Sequence, residues 1–212
     1  MRGKFITFEG PEGSGKSTHL AGLAAHLRGL GKTVLTTREP GGTPLAETIR
    51  NLVRDKSADA PVPRSEVLLF LAARAQVVAE VIRPALEKGT WVLCDRFADS
   101  TFAYQGAGRG FDVALLKRLN DFATEGLVPD LTLLLDVPPE ISRARLAARQ
   151  AATATKADRI ESAGADFHAR LRAGFLALAE DEPGRFSVID SSGAPEAVAA
   201  AVRRAVDERL AP

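Results

Sequence analysis

The sequence predicts a doubly wound α/β protein with five parallel strands and helices on both faces of the sheet. Short apolar runs alternate along the chain with stretches whose apolar residues recur at helical spacing. The run LTLLLDV shows little alternation of polar and apolar residues, which is typical of a strand covered on both faces. The glycine-rich segment GPEGSGKST directly follows the first apolar run. The length of 212 residues suits one domain, which we expect to span residues 1–212.

The first predicted strand leads into the glycine-rich segment, and a helix follows that segment. In that helix Leu20, Leu23 and Leu27 lie on one face, and Gly29 and Gly31 end it. The predicted strands cover residues 5–9, 33–39, 90–95, 131–137 and 186–190.

The remaining helices have recognisable start signals. Thr43 is the expected N-cap of a helix with Pro44 at its first position, and Asp112 is the expected cap of another. Further helices are predicted over residues 65–87, 112–122 and 195–210, with one more starting at Pro139. The glycine-containing segment DSTFAYQGAGRG, residues 99–110, is interpreted as a polar loop.

Composition excludes several classes of protein. The net charge of +1, from 28 basic and 27 acidic residues, predicts no general attraction to nucleic acid or to a membrane. The single cysteine, Cys94, excludes an intramolecular disulfide and fits a reducing cytoplasm, and its place in WVLC predicts a buried side chain. The first apolar run is too short for a signal peptide, and no run is long enough for a transmembrane helix. We therefore expect a cytoplasmic protein.

The glycine-rich segment fits the phosphate-binding pattern G-x-x-x-x-G-K-[ST]. In such a loop backbone N–H groups surround phosphate oxygens, Lys16 neutralises charge and Ser17 ligates Mg²⁺. The preceding strand and the following helix are the context that this motif requires, because a helix N-terminus favours phosphate. The pattern predicts a P-loop NTPase-type fold that binds a nucleotide together with Mg²⁺. The nucleotide-binding residues are Gly10, Pro11, Glu12, Gly13, Ser14, Gly15, Lys16, Ser17 and Thr18.

A carboxylate within this anion-binding loop needs an explanation. Glu12 must either point away from the phosphates or be matched to another partner. Asp95 ends an apolar strand, where an acid that organises Mg²⁺ opposite the loop is expected, and Arg96 beside it could bind phosphate through two N–H groups. The alternative is an ordinary ion pair at the end of the strand.

A possible pocket for a flat heterocycle lies further along. Phe70 and Arg74 are four residues apart on a predicted helix and share a face, so the ring could stack while the guanidinium donates hydrogen bonds. Tyr104 and Gln105 suit recognition of a sugar and a base. The alternatives are that Phe70 belongs to the core, that Arg74 pairs with an acid, and that Tyr104 is only packed.

The segment QAATATKA, residues 150–157, is the one tract of low complexity. It is bordered by Arg145 and Arg149 on one side and by Asp158 and Arg159 on the other. Small residues with basic neighbours predict a mobile flap. A passive surface loop is the alternative.

Taken together, EGPEGSGKST, TREPGGT, FLAAR, DRFADSTFAYQG and DRIE closely resemble the thymidylate kinase family, in this order and spacing. The resemblance covers nearly the whole chain. It implies transfer of the γ-phosphate of ATP to dTMP, giving dTDP and ADP, with Mg²⁺ and usually as a homodimer. The partners it implies are dTMP and ATP.

The resemblance also implies roles for individual residues on the acceptor side. It assigns the thymine stack to Phe70, a base hydrogen bond to Arg74, base contacts to Thr101 and Gln105, and exclusion of a ribose 2′-hydroxyl to Tyr104.

Other positions match contacts with phosphate and sugar. Arg96 matches the residue that bridges the acceptor phosphate and the transferred phosphate, and Pro40 and Arg50 match other acceptor contacts. Glu12 is then expected to face the sugar 3′-hydroxyl and the arginines that bind the acceptor phosphate. Lys16 and Asp95 complete the expected catalytic set with Arg96 and a lid arginine.

One branch of the family carries an arginine in the phosphate loop, where this chain has Gly13. The other branch supplies its catalytic arginine from a lid, here about residues 142–161, and Arg149 matches that arginine. The lid is longer here than in the bacterial pattern, so Arg159 is a second candidate.

Two other classes of function are alternatives to this one. Another nucleoside monophosphate kinase on the same scaffold would differ only in its acceptor pocket. A nucleotide switch expects D-x-x-G and N-K-x-D motifs, and a partitioning ATPase expects a second lysine early in the loop. None of these is present.

Overall fold

The computed structural model describes residues 2–54, 60–153 and 164–211. Part of the predicted flap, residues 154–157, and Arg159 lie outside the described residues. Five parallel strands form one sheet in the order β2-β3-β1-β4-β5, which confirms the predicted class. The strands are β1 (Phe5–Glu9), β2 (Val34–Arg38), β3 (Trp91–Asp95), β4 (Leu131–Asp136) and β5 (Phe186–Asp190).

Helices connect the strands and cover both faces of the sheet. They are α1 (Lys16–Gly29), α2 (Pro44–Arg54), α3 (Pro63–Val77), α4 (Arg83–Glu87), α5 (Ala98–Thr101), α6 (Val113–Thr124), α7 (Pro139–Thr153), α8 (Ala165–Asp181) and α9 (Pro195–Leu210). Two π-helical segments, Val78–Ile82 and Phe102–Gly108, join α3 to α4 and extend α5. None of the described helices is long and apolar enough to cross a membrane.

Alternate residues of each strand contribute to two cores, one on each face of the sheet. Phe5 of β1 packs into the core formed with the run from α3 to α4 and with α8, whereas Ile6 and Phe8 pack against α1 and α9. Both faces are therefore buried, which explains why the central strands show so little polar alternation.

The predicted caps and strands are confirmed. The Thr43 hydroxyl accepts a hydrogen bond from the backbone N–H of Ala46 at 3.2 Å, and Asp112 accepts one from Ala114 at 2.9 Å. Cys94 is fully buried, as predicted.

Two parts of the prediction were wrong or incomplete. The segment 99–110, interpreted as a polar loop, is helical through Gly108, and Phe102, Ala103 and Tyr104 within it are buried in the core. Its three glycines, Gly106, Gly108 and Gly110, favoured a loop. Helix α8 was not predicted at all, although Leu171, Phe175 and Leu178 show helical spacing.

Candidate active site

A cavity of about 730 Å³ opens at the carboxyl ends of β1, β2 and β3. This is the edge where ligands bind in open parallel sheets, and the volume lies in the usual range for ligand sites. Asp136, at the end of β4, does not line it and instead holds Arg172 through two hydrogen bonds of 2.7 and 2.8 Å. The predicted site residues that line the cavity are Glu12, Gly13, Gly15, Lys16, Ser17, Thr18, Pro40, Arg50, Phe70, Arg74, Asp95, Arg96, Thr101, Tyr104, Gln105 and Arg149.

The phosphate-binding loop lies between β1 and α1, as predicted, and α1 begins at Lys16. The Lys16 ammonium donates to the carbonyls of Gly10 and Pro11 at 3.0 and 2.8 Å. Burial, with Arg96 nearby, lowers its pKa to about 8. Gly10, Pro11 and Ser14 shape the loop but do not line the cavity.

Gly13 is required where α7 packs on this loop. Its φ is +73°, and a Cβ built there would lie 2.8 Å from the carbonyl oxygen of Ser142. The Ser142 hydroxyl also donates to the carbonyl of Glu12 at 2.6 Å. Since the first turns of α7 occupy this space, the loop itself has no room for a side chain at residue 13.

Two side chains with oxygen atoms, Ser17 and Asp95, face each other at the end of β3. The Ser17 hydroxyl donates to the Asp95 carboxylate at 2.6 Å, and both line the cavity. No group of three or more histidine, cysteine or acidic side chains that could hold a metal ion occurs in the part of the chain described. A hydroxyl and a single carboxylate suit Mg²⁺, which keeps waters and substrate oxygens in most of its coordination sphere.

Glu12 has the partner that its position demands. Its Oε1 accepts a hydrogen bond from Arg96 at 2.9 Å and another from the Tyr104 hydroxyl. Burial alone raises the pKa of Glu12, but Arg96, Lys16 and Tyr104 together hold it below its usual value. Its Oε2 is buried without a hydrogen-bond partner among the described residues, so it can accept a donor from a ligand.

Arg74 pairs with an acid, which was the alternative kept open for it. Its Nε donates to Glu39 at 2.7 Å, and the two side chains are only 2% and 4% exposed. The guanidinium also donates to Thr101 at 3.1 Å, Asn120 at 3.2 Å and the carbonyl of Phe97 at 3.0 Å. Four of its five N–H donors are engaged in this way. The Arg74 guanidinium therefore joins the segments that form this wall of the cavity, and it also lines the cavity itself.

The other residues expected on the acceptor side line the same cavity. Phe70 is half-buried one turn before Arg74 on α3, and its ring lines the cavity. Arg50 of α2 donates to the carbonyl of Pro40 at 2.9 Å, and both face the same space. Tyr104 is only 5% exposed, and its ring meets Phe175 edge to face at 6.1 Å.

Glu9 supports the site and was not predicted. It ends β1 with no exposed surface, and it accepts hydrogen bonds from the backbone N–H groups of Phe97 and Ser100 at 2.7 and 3.1 Å. The Ser100 hydroxyl donates to Glu9 at 2.6 Å and accepts from Arg96 at 3.0 Å. Burial and the nearby carboxylate of Asp99 raise the pKa of Glu9 to about 7. The only sequence signal was an acid at the end of a buried strand.

Helix α7 brings two arginines to the cavity beside the phosphate-binding loop. Arg145 donates to the carbonyl of Ser191 at 2.8 Å and to that of Ser192 at 3.3 Å, so it ties α7 to the loop after β5. Arg149, one turn further along, is exposed and lines the cavity.

Comparisons with known proteins give a consistent result. The family model described as thymidylate kinase matches residues 8–202. A thymidylate kinase of Solidesulfovibrio magneticus is 51% identical over 97% of this chain and 100% of its own length. One of Thermomicrobium roseum is 55% identical over 96% of this chain and 94% of its own. The crystal structure of thymidylate kinase from Ehrlichia chaffeensis is similar with a TM-score of 0.77 and 35% identity, covering 97% of this chain and 99% of that one.

The raised pKa of Glu9 gives a pH-dependent stability. Between about pH 4.5 and about 7 the folded protein keeps a proton that the unfolded chain has released, so the free energy of unfolding falls as pH rises. Glu9→Gln has no such proton. We expect the unfolding free energy of this variant, relative to wild type, to increase with pH across that window, as measured by denaturant unfolding.

The matched control is Glu208→Gln, which changes an exposed carboxylate of α9 and should give a difference that does not vary with pH. A difference for Glu9→Gln that is equally flat would contradict the raised pKa.

Proposed function

The chain belongs to the thymidylate kinase family, and from this we propose that it transfers the γ-phosphate of ATP to dTMP. A bond forms between an oxygen of the dTMP phosphate and the γ-phosphorus. The bond from that phosphorus to the β–γ bridging oxygen breaks, and ADP leaves with the bonding electron pair. The products are dTDP, which serves dTTP synthesis, and ADP. Another nucleoside monophosphate kinase activity is not favoured.

One observation carries this proposal most directly. Glu12 belongs to the phosphate-binding loop, yet its carboxylate is bonded to Arg96 and Tyr104 on the other side of the cavity. Its buried Oε2 has no partner in the described part of the chain and suits a hydroxyl donor such as the sugar 3′-OH. A loop that served only the donor phosphates would have no use for a carboxylate in this orientation.

On the donor side, Lys16 and the backbone N–H groups of the loop would hold the phosphates of ATP. Ser17 and Asp95 would hold Mg²⁺, which when bound neutralises charge on the phosphate oxygens. Arg96 lies between the loop and the acceptor side, where its guanidinium can contact both the acceptor phosphate and the transferred one. Positioning and positive charge are the main requirements of phosphoryl transfer.

On the acceptor side, we assign the base to the wall formed by α3 and α5. Phe70 would stack on the thymine, and Arg74, Thr101 and Gln105 would contact its polar edge. Tyr104, held by its hydroxyl to Glu12, would leave no room for a ribose 2′-hydroxyl.

Pro40 and Arg50 would contribute to the acceptor phosphate side. We propose no nucleic acid as a partner.

The catalytic cation that the loop lacks would come from α7. Because Ser142 fills the space beside Gly13, an arginine cannot project from the loop at that position. Arg149 lines the cavity from the same helix and is the described residue that we propose stabilises the transferring phosphoryl group. The lid expected over about residues 142–161 then begins within α7, in a chain that forms one domain. Arg159 lies outside the described residues.

We also propose that the protein acts as a homodimer in the cytoplasm. Helix α3 contacts α2 and α6, and these three helices carry large apolar side chains at the surface. Phe122 of α6 is 89% exposed, and Leu52, Leu68 and Leu115 are 44–59% exposed. Apolar side chains exposed on adjacent helices favour burial against a second copy.

The acceptor is tested with a panel of nucleoside monophosphates. ADP release, with ATP and Mg²⁺, should be fastest with dTMP, because the pocket combines a stacking ring with donors and an acceptor for the thymine edge. Faster turnover of AMP, GMP or CMP than of dTMP would overturn the assignment.

The orientation of Glu12 predicts a selective defect. Glu12→Gln keeps the shape but loses the charge paired with Arg96, so the kcat/KM for dTMP should fall by about tenfold or more. The KM for ATP should stay within about twofold of wild type, since Oε1 is hydrogen-bonded to Arg96 and Tyr104. Steady-state kinetics with each substrate varied in turn measures both. Weakened ATP use with unchanged dTMP use would contradict the assigned orientation.

Arg149→Ala should lower the rate of phosphoryl transfer strongly while dTMP affinity stays nearly unchanged. Arginines that stabilise such transition states contribute roughly 10³- to 10⁵-fold in rate. Rapid-quench measurement of single-turnover transfer separates this from product release. Arg143→Ala is the matched control, because Arg143 is exposed on the same helix and does not line the cavity. Equal rates for the two variants would remove Arg149 from this role.

A further inference from the structure

A buried carboxylate stands behind the base-binding wall and has no place in the chemistry described so far. Glu66 lies in the first turn of α3 and has no exposed surface. Its Oε1 accepts a hydrogen bond from the side-chain amide nitrogen of Gln105 at 2.9 Å. Arg109 supplies the countercharge, with its Nη2 at 3.0 Å from Oε1 and 3.1 Å from Oε2. Glu66 therefore touches a residue of the cavity without lining the cavity itself.

This contact decides which end of the Gln105 amide faces the ligand. A carboxylate accepts hydrogen bonds and cannot donate them, so it can pair with the NH₂ end of an amide but not with its oxygen. Both ends are attached to the same planar carbon. With the Gln105 Nε2 hydrogen-bonded to Glu66, the Gln105 Oε1 points away from Glu66.

Gln105 lines the cavity and is otherwise only 2% exposed. No donor is bonded to its Oε1 within residues 2–54, 60–153 and 164–211, and this oxygen is not among the fully enclosed, unpaired atoms. The amide oxygen is thus available to a ligand in the cavity as an acceptor.

Hydrogen-bond donors line the same cavity as this Gln105 oxygen. Thr101 is one helical turn before Gln105, and its hydroxyl accepts from Arg74, whose guanidinium also lines the cavity. An acceptor next to donors complements a pyrimidine edge that presents a ring N–H next to a carbonyl, as thymine and uracil do. Cytosine presents an unprotonated ring nitrogen next to an amino group, which is the opposite pattern.

We propose that Glu66 is a positioning residue for base selection: it holds the Gln105 amide with its oxygen towards the base and so disfavours cytosine. This inference rests on the proposed function, since it concerns the acceptor base. A purely structural role for Glu66 would be poorly served by a carboxylate. Removing a charge from water is unfavourable, whereas an apolar side chain of similar size would fill the same space.

The test is a double-mutant cycle on Glu66→Gln and Gln105→Ala, with kcat/KM measured for dTMP and dCMP. A glutamine at position 66 can present either its oxygen or its NH₂ to Gln105, so both orientations of the Gln105 amide become accessible. We expect Glu66→Gln to lower the preference for dTMP over dCMP by roughly tenfold. The change should come mainly from the KM for dTMP, with the KM for ATP unchanged.

In the Gln105→Ala background the same substitution should leave the dTMP to dCMP ratio unaltered, because Glu66 acts through Gln105. A structural defect would persist in that background. An unchanged ratio for Glu66→Gln alone, or an equal loss with and without Gln105, would overturn the proposal.

Two further variants complete the design. Glu87→Gln changes an exposed carboxylate of α4 and should match wild type. If Glu66→Gln does not fold, Glu66→Asp, which withdraws the carboxylate by one methylene, should lower the same ratio, and a wild-type ratio would overturn the proposal. Failure of the wild-type protein to phosphorylate dTMP would instead refute the proposed function, so the two failures are distinguishable.

Discussion

The acceptor half of the cavity depends on the buried guanidinium of Arg74. Its four hydrogen-bond partners come from different parts of the chain: Glu39 after β2, Phe97 after β3, Thr101 of α5 and Asn120 of α6. The guanidinium is planar and its N–H donors have fixed directions, so it can donate to all four acceptors only when the four segments are correctly placed around it. Burying such a charge is costly unless it is paired, and loss of one partner would leave the other uncompensated. The same interaction that joins the helices therefore shapes the base-binding wall.

The donor half depends on how closely α7 packs against the phosphate-binding loop. The contact between Ser142 and the loop excludes a side chain at residue 13. A second residue of α7, Arg145, is hydrogen-bonded to the loop after β5. A cation for the transferred phosphoryl group must then reach the cavity from the helix. Glu12 connects the two halves, because it belongs to the loop but is bonded to Arg96 and Tyr104.

Much of the fold could be predicted because local chemistry dictated it. The five apolar runs became the five strands, and Thr43 and Asp112 cap their helices as their residue types require. The failures have equally local causes. Glycines in the segment 99–110 suggested a loop, but the helix there is stabilised by burial of Phe102, Ala103 and Tyr104 in the core, which outweighs the low helix propensity of glycine.

The sequence by itself determined the phosphate-binding loop, the five strands with most of the helices between them, and which polar residues end the strands that lead into the cavity. These follow from patterns within a few residues of one another, since backbone conformation and hydrophobic periodicity are local. Only the tertiary structure decided three other pairs: Arg74 with Glu39, Glu66 with Gln105, and Glu9 with Ser100. Each pair joins residues 35 to 91 positions apart. Their pairing is imposed by burial, which makes an unpaired charge or amide costly and so selects whichever partner the packed elements bring within reach.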